Sequence, residues 1–182
     1  MSMENNNKKA GTTLGSNIAT GIKDNLLSIR KEIIRESLSE FENVEHRLEF
    51  VANIHGIEYI NDSKATNVNS TWYALERMNN KVVLITGGVD KNTEFETLLP
   101  IIKDKVRAII YLGDNKDRLF STFMDQIPLI VDASSMKEAV STAYYLAGKS
   151  ETVLLSPAAA SFNLYDNYEE RGAAFKKAVR EL

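Results

Sequence analysis

Ile57-Glu58-Tyr59-Ile60-Asn61-Asp62-Ser63-Lys64-Ala65-Thr66-Asn67 passes from an alternating apolar segment directly into a polar cluster. The alternation predicts a strand, and the residues after Asn67 return to helical periodicity. The cluster therefore stands at a strand's carboxyl end, where open α/β sheets bind ligands. It holds a carboxylate, an ammonium and two hydroxyls, which reads as a site. Taken singly, Asp62-Ser63 also fits a helix cap.

The same alternation of element types continues outward. Helices are expected over 68–78, 93–103, 116–125, 135–147 and 167–181, and strands over 81–86, 106–112, 129–131 and 152–155. Short apolar strands separated by helices of about ten residues imply right-handed βαβ crossovers. The fold class is α/β: a three-layer, Rossmann-like, mostly parallel sheet with helices on both faces. Upstream, segments 48–54 and 57–60 flank His55-Gly56 and predict an N-terminal hairpin strand. Residues Ile18, Ile22, Leu26, Ile29, Ile33, Ile34, Leu38 and Phe41 recur at three- and four-residue steps, predicting one or two amphipathic helices over 17–41. Three parts follow: a flexible arm or artificial junction over 1–16, a helical segment over 17–44, and the α/β domain over 45–182.

Bulk composition narrows the function. Among 182 residues, 22 Lys and Arg against 25 Asp and Glu give a net charge of -3, with no basic run to meet a phosphate backbone. A nucleic-acid partner is therefore not expected. With no cysteine and two histidines, a thiolate site, a disulfide framework or a His-rich metal site is not expected either. No apolar run approaches the ~20 residues that span a bilayer. These features fit a cytoplasmic protein with no membrane partner. The exposed apolar face expected over 18–41 could pair copies of the chain.

Three strand ends carry polar residues: 62–67, Gly87-Gly88-Val89-Asp90-Lys91, and Ser156-Pro157-Ala158-Ala159-Ala160-Ser161. In a parallel sheet they point the same way and can share one crevice. Lys64 and Lys91 then offer two cations, with Thr66 and Ser161 as neutral donors. That set suits an anion bearing more than one carboxylate or phosphate. Gly87-Gly88 alone is an ordinary βα turn and not a dinucleotide fingerprint, and the chain has no P-loop. His46-Arg47 is either a hinge pair at a ligand or a surface pair beside Glu45 and Glu49. Trp72, Tyr73, Tyr144 and Tyr145 are expected to pack on the sheet. Glu169, Glu170 and Arg171 read as a solvated first helical turn.

Five motifs, in order, carry a resemblance: His46-Arg47-Leu48-Glu49, Asn61 to Asn67, Gly87 to Lys91, Leu154 to Phe162, and Asn167-Tyr168-Glu169-Glu170-Arg171-Gly172. Together they resemble the C-terminal domain of Mur ligases, and within that family the member that adds D-glutamate. The resemblance implies that residues 17–44 are the last helices of a central ATPase domain. It implies a complete enzyme that uses ATP and Mg2+ to join D-glutamate to UDP-N-acetylmuramoyl-L-alanine in peptidoglycan synthesis. By motif position, Lys64, Thr66, Lys91, Ser161, Phe162 and Tyr168 would hold D-glutamate, while Arg47, Asp62 and His46 would reach the nucleotide. The chain departs from the family pattern at Ala159, where Cys is usual, and at Asn163, where Asp is usual. It lacks the P-loop and the magnesium ligands, so catalysis by this chain alone is not expected. A second reading is a non-catalytic binding or interaction module derived from the same domain.

Overall fold

The computed structural model describes residues 7–39, 44–88, 94–113, 116–162 and 164–182, with side chains from residue 19 onward. Two compact units, Met1–Glu40 and Phe41–Leu182, are taken separately.

The first unit is one helix, α1 (Asn7–Ser39). It starts ten residues before the expected helical segment, so residues 7–16 are helical. Gly11 and Gly15 each cost about 1 kcal/mol of helix propensity, and without a proline nothing there forbids the helix. Ile22, Leu26, Leu27, Ile29 and Ile33 are exposed along it.

The second unit opens with strands β1 (Glu49–Ile54) and β2 (Ile57–Asn61), paired antiparallel. His55 (φ 54°) and Gly56 (φ 85°) make the expected turn. Two consecutive left-handed residues match the twist of the flanking strands. There follow α2 (Val68–Glu76), β3 (Val82–Thr86), a short 3-10 turn Phe95–Leu98, α3 (Leu99–Lys105) and β4 (Val106–Leu112). The chain ends with α4 (Asp117–Phe123), β5 (Ile130–Ala133), α5 (Met136–Leu146), β6 (Thr152–Leu155) and α6 (Tyr168–Arg180). The helix expected over 93–103 is thus divided, and its α-helical part begins where Pro100 can occupy the first turn.

Strand order is β1-β2-β6-β3-β4-β5, with every pairing after the hairpin parallel. Successive residues of β3 face opposite layers. Val83 and Ile85 join Met136, Val140 and Phe175 on the α5/α6 side, whereas Val82 and Leu84 join Leu75, Phe95, Ile102, Leu119 and Phe123 on the α2–α4 side. Period-two alternation against helices on both faces makes a double core. Trp72 and Tyr144 pack into these layers as expected and Tyr73 is buried, but Tyr145 is 84% exposed. Its neighbour Tyr144 takes the inward helical position, one residue away. The order β2-β6-β3 puts side by side the three strand ends that the sequence picks out.

Candidate active site at the carboxyl ends of three strands

The end of β2 is shaped by its backbone. Asp62 N donates to Leu155 O (2.8 Å), extending the ladder, and Ala65 N then donates to Asp62 O (2.9 Å) in a tight turn. The cap of α2 is Asn67, whose side chain accepts from Ser70 N at 2.9 Å. Asp62 and Ser63 are thereby left for other contacts.

Asp62 does not face outward as expected of a nucleotide contact. It is fully buried: Oδ1 accepts from Leu48 N (3.2 Å), Oδ2 accepts from Ser156 Oγ (3.0 Å), and Arg47 Nη1 lies 3.7 Å away. Burial pushes its carboxyl up to about 7, against the pull of Arg47, Ser156 and the Leu48 amide. A strand-end carboxylate between a cation and a hydroxyl is indistinguishable, in sequence, from one turned to solvent.

His46 and Leu48 hold left-handed backbones (φ 64° and 44°) that cost non-glycine residues about 1–2 kcal/mol each. Contacts from several elements hold this turn. Arg47 N donates to Val44 O, His46 N to Glu49 Oε2 and Lys64 N to His46 O, each at 3.0 Å. The buried His46 ring accepts at Nδ1 from Asn61 Nδ2 (2.9 Å), which places a neutral ring's proton on Nε2. It lies edge-on to Tyr168, with centroids 6.2 Å apart. His46 is therefore a packed element of the turn. Arg47 is 8% exposed, and its Nε is buried without a hydrogen-bond partner.

Glu45, His46 and Glu49 bring potential metal-ligand atoms within 4.8 Å of one another. The Lys176 ammonium already binds there, 2.7 Å from Glu45 and 3.0 Å from Glu49. Its hydrogen bond and charge hold the Glu45 carboxyl below the usual range. Burial works the other way at Glu49, where Lys176, the His46 amide and Asn61 prevail. A lysine, not a cation site, balances this cluster.

The loops after β3 and β6 are tied together. Thr86 Oγ1 and Gly87 N both donate to Pro157 O, at 2.9 and 3.0 Å. A Cβ on Gly87 (φ 120°) would lie 2.5 Å from Leu112 O, and one on Gly88 (φ 143°) would collide with the Ala160 carbonyl. Both positions need glycine for close approach as well as for φ. Arg171 joins this assembly to the end of β2. Its Nε donates to Ser63 Oγ (3.0 Å), Nη2 to Ser63 O (2.8 Å) and Nη1 to Ala159 O (3.0 Å). Ser63 Oγ in turn donates to Tyr168 O at 2.7 Å.

Arg171 corrects the expectation of a solvated first turn: it is 2% exposed. Burial lowers its guanidinium to about 10, and the nearby Tyr165 opposes that shift. A signal was present, because Arg171 shares a helical face with Phe175 and Ala178 at i, i+4 and i+7, all buried. Lys64 lies with its Nζ 5.6 Å from the Tyr168 ring centroid, within cation–π range. Thr66 is exposed beside it. Ser161 is 3% exposed and its carbonyl accepts from Leu164 N and Tyr165 N, while the adjacent Phe162 is 76% exposed. Lys91 lies outside the described residues.

A family model described as "Mur ligase, glutamate ligase domain" matches residues 46–159. The chain belongs to the Mur ligase family. The UDP-N-acetylmuramoylalanine--D-glutamate ligase of Christiangramia forsetii is 52% identical over 165 residues, which cover 91% of this chain and 37% of that protein. The ligase of the same name from Bacteroides fragilis is 52% identical over 171 residues, covering 93% and 38%. The chain thus spans a little over a third of the length of these relatives. Among solved structures, a Yersinia pestis bifunctional folylpolyglutamate synthase/dihydrofolate synthase shares the fold at a TM-score of 0.53 and 15% identity, covering 79% of this chain and 33% of that one. The FolC protein of E. coli does so at 0.52 and 19%.

In this Mur ligase domain three of the polar groups that the sequence picks out lie at neighbouring strand ends. Lys64 and Thr66 stand at one strand end and Ser161 at the next, whereas Asp62 is committed inward. Among the described residues no helix is long and apolar enough to cross a membrane.

Proposed function

We propose that this chain is the D-glutamate-binding domain of an ATP-dependent ligase that adds D-glutamate to UDP-N-acetylmuramoyl-L-alanine in peptidoglycan synthesis. The observation that carries the reading is the placement of Lys64 beside the Tyr168 ring, within a chain 52% identical to proteins of that name. Lys64, Thr66, Lys91, Ser161, Phe162 and Tyr168 surround the amino acid, with the cations on its carboxylates. Arg47 has a buried, unpartnered Nε and meets the nucleotide, with Asp62 and His46 as its supports. Bound ATP supplies the phosphoryl group that activates the acceptor carboxylate. This domain contributes by positioning the attacking amine and excluding water. Magnesium requires oxygen ligands; among the described residues the acidic cluster at Glu45 and Glu49 is already balanced by Lys176, and in the complete enzyme Mg2+ would be held with the ATP phosphates. Residues 17–44 belong, in this reading, to the end of a central ATPase domain.

Co-expression with the remaining two-thirds of a relative's ligase tests the proposal by incorporation of labelled D-glutamate. Activity should be restored, and Lys64→Ala should abolish it; restored activity that survives Lys64→Ala overturns the assignment of the pocket. The exposed Ile22, Leu26, Ile29 and Ile33 favour a second reading, in which α1 pairs copies of a non-catalytic interaction module. Sedimentation separates the two: a dimer that vanishes on deleting residues 1–44 favours the second.

A further inference from the structure

We infer that Arg171 is the positioning residue of the acidic-ligand pocket, clamping its two walls together from beneath without touching the ligand. The inference rests on the proposed D-glutamate reading for the ligand's identity, but the clamp itself is a property of the ligand-free domain.

Three contacts carry it. The guanidinium reaches two segments about one hundred residues apart in sequence: Ser63 through both Oγ and O, and Ala159 through O, at 2.8–3.0 Å. Ser63 is followed by Lys64, and Ala159 leads into Ser161, so each segment presents one proposed ligand group. The same Ser63 hydroxyl donates to Tyr168 O, which brings the start of α6, and with it the ring beside Lys64, into the same unit. One planar fork thus sets the spacing of Lys64, Ser161 and Tyr168.

The chemistry of the residue fits that task. Taking a guanidinium out of water costs several kcal/mol unless it is paired, yet among the described residues no carboxylate acts on Arg171. Its partners are neutral backbone and hydroxyl oxygens. A cation kept buried with only neutral partners is costly where stability is the sole gain, and consistent with a second role in geometry. It also leaves positive charge uncompensated beside a pocket proposed for a molecule with two carboxylates. Only arginine offers a rigid planar array of donors; a lysine ammonium at this depth cannot span three acceptors in two segments.

Two measurements on the full chain decide the matter. The first is amide hydrogen exchange by NMR without ligand. In Arg171→Met, exchange at Ser63, Lys64, Ala65 and Thr66 and at Gly87, Leu164 and Tyr165 should rise by about tenfold or more, while amides of α5 keep their protection. Ser63→Ala, which removes only the hydroxyl acceptor, should produce the same local pattern and guards against a variant that fails to fold. The second is D-glutamate titration, in which Arg171→Lys should weaken binding by about tenfold because the charge stays and the geometry goes. Unchanged exchange in both segments refutes the clamp. Wild-type affinity in Arg171→Lys refutes geometry in favour of charge alone. If the wild-type chain binds no D-glutamate, the ligand reading fails, while the exchange data still decide the clamp.

Discussion

Replacing Gly172 by alanine sets two physical effects of opposite sign against each other. Gly172 lies in the second turn of α6, where alanine should stabilise the helix by about 1 kcal/mol. An added Cβ, however, would stand 2.9 Å from His46 Cε1 and 3.0 Å from Cγ, and closer still to Nδ1. The ring cannot simply rotate aside. Its Nδ1 accepts from Asn61, the Tyr168 ring lies against it, and the left-handed turn fixes its backbone. Overpacking a buried site costs about 1–3 kcal/mol. Losing the Asn61 bond inside the domain adds about 1–3 kcal/mol. The net expectation is a destabilisation of about 1–5 kcal/mol, measured by urea denaturation. Gly172→Ala combined with His46→Ala should recover much of that loss, giving a coupling of at least about 1 kcal/mol in the double-mutant cycle. A Gly172→Ala protein as stable as wild type, or more so, would refute the picture of a pinned His46 ring.

Asp62 links stability to pH. Its carboxyl is raised by burial from an unfolded value of 3.8 to about 7, so the native state holds the proton more tightly than the unfolded chain. The stability tied to that proton is complete below about pH 4 and is lost as pH rises through 7, at about 1.4 kcal/mol per pH unit and about 4 kcal/mol at most. Asp62→Asn removes this dependence, so its stability relative to wild type should climb between pH 4 and pH 8; a pH-independent difference in denaturation midpoint would contradict the assignment. Phe175 is fully buried between α6 and the sheet, and Phe175→Ala should cost about 3–5 kcal/mol. A loss below 1 kcal/mol in the same denaturation assay would mean that this layer is not packed as described.

Strands β4 and β6 follow the sequence expectation to the residue, because both are short apolar runs with clear ends, interrupted in β4 only by the exposed Arg107. Helix α6 begins one residue from expectation since Asn167 caps it through Glu170 N (2.7 Å). The polar strand ends were legible as a group because the carboxyl ends of parallel strands all point the same way, and the order β2-β6-β3 makes them neighbours. Orientation was not. Asp62 and Arg171 are charged residues with partners 94 and 108 positions away; the helical face shared with Phe175 signals that Arg171 turns inward, but no local pattern names either residue's partners. Nor does a His-Arg-Leu sequence announce two left-handed residues; tertiary contacts from Glu49, Asn61 and Lys64 stabilise that turn. The early start of α1 is not legible, because polar, glycine-containing segments fit helix and arm alike.

The central claim is that the loops after β2 and β6, with the start of α6, form a pocket for a small acidic amino acid. Titrating the 15N-labelled chain with D-glutamate tests it most directly. The account predicts saturable shifts concentrated at residues 63–67, 86–88, 158–162 and 168–172, at least about tenfold weaker binding in Lys64→Ala, and weaker binding of L-glutamate. Shifts centred elsewhere, or identical affinity in Lys64→Ala, would contradict it.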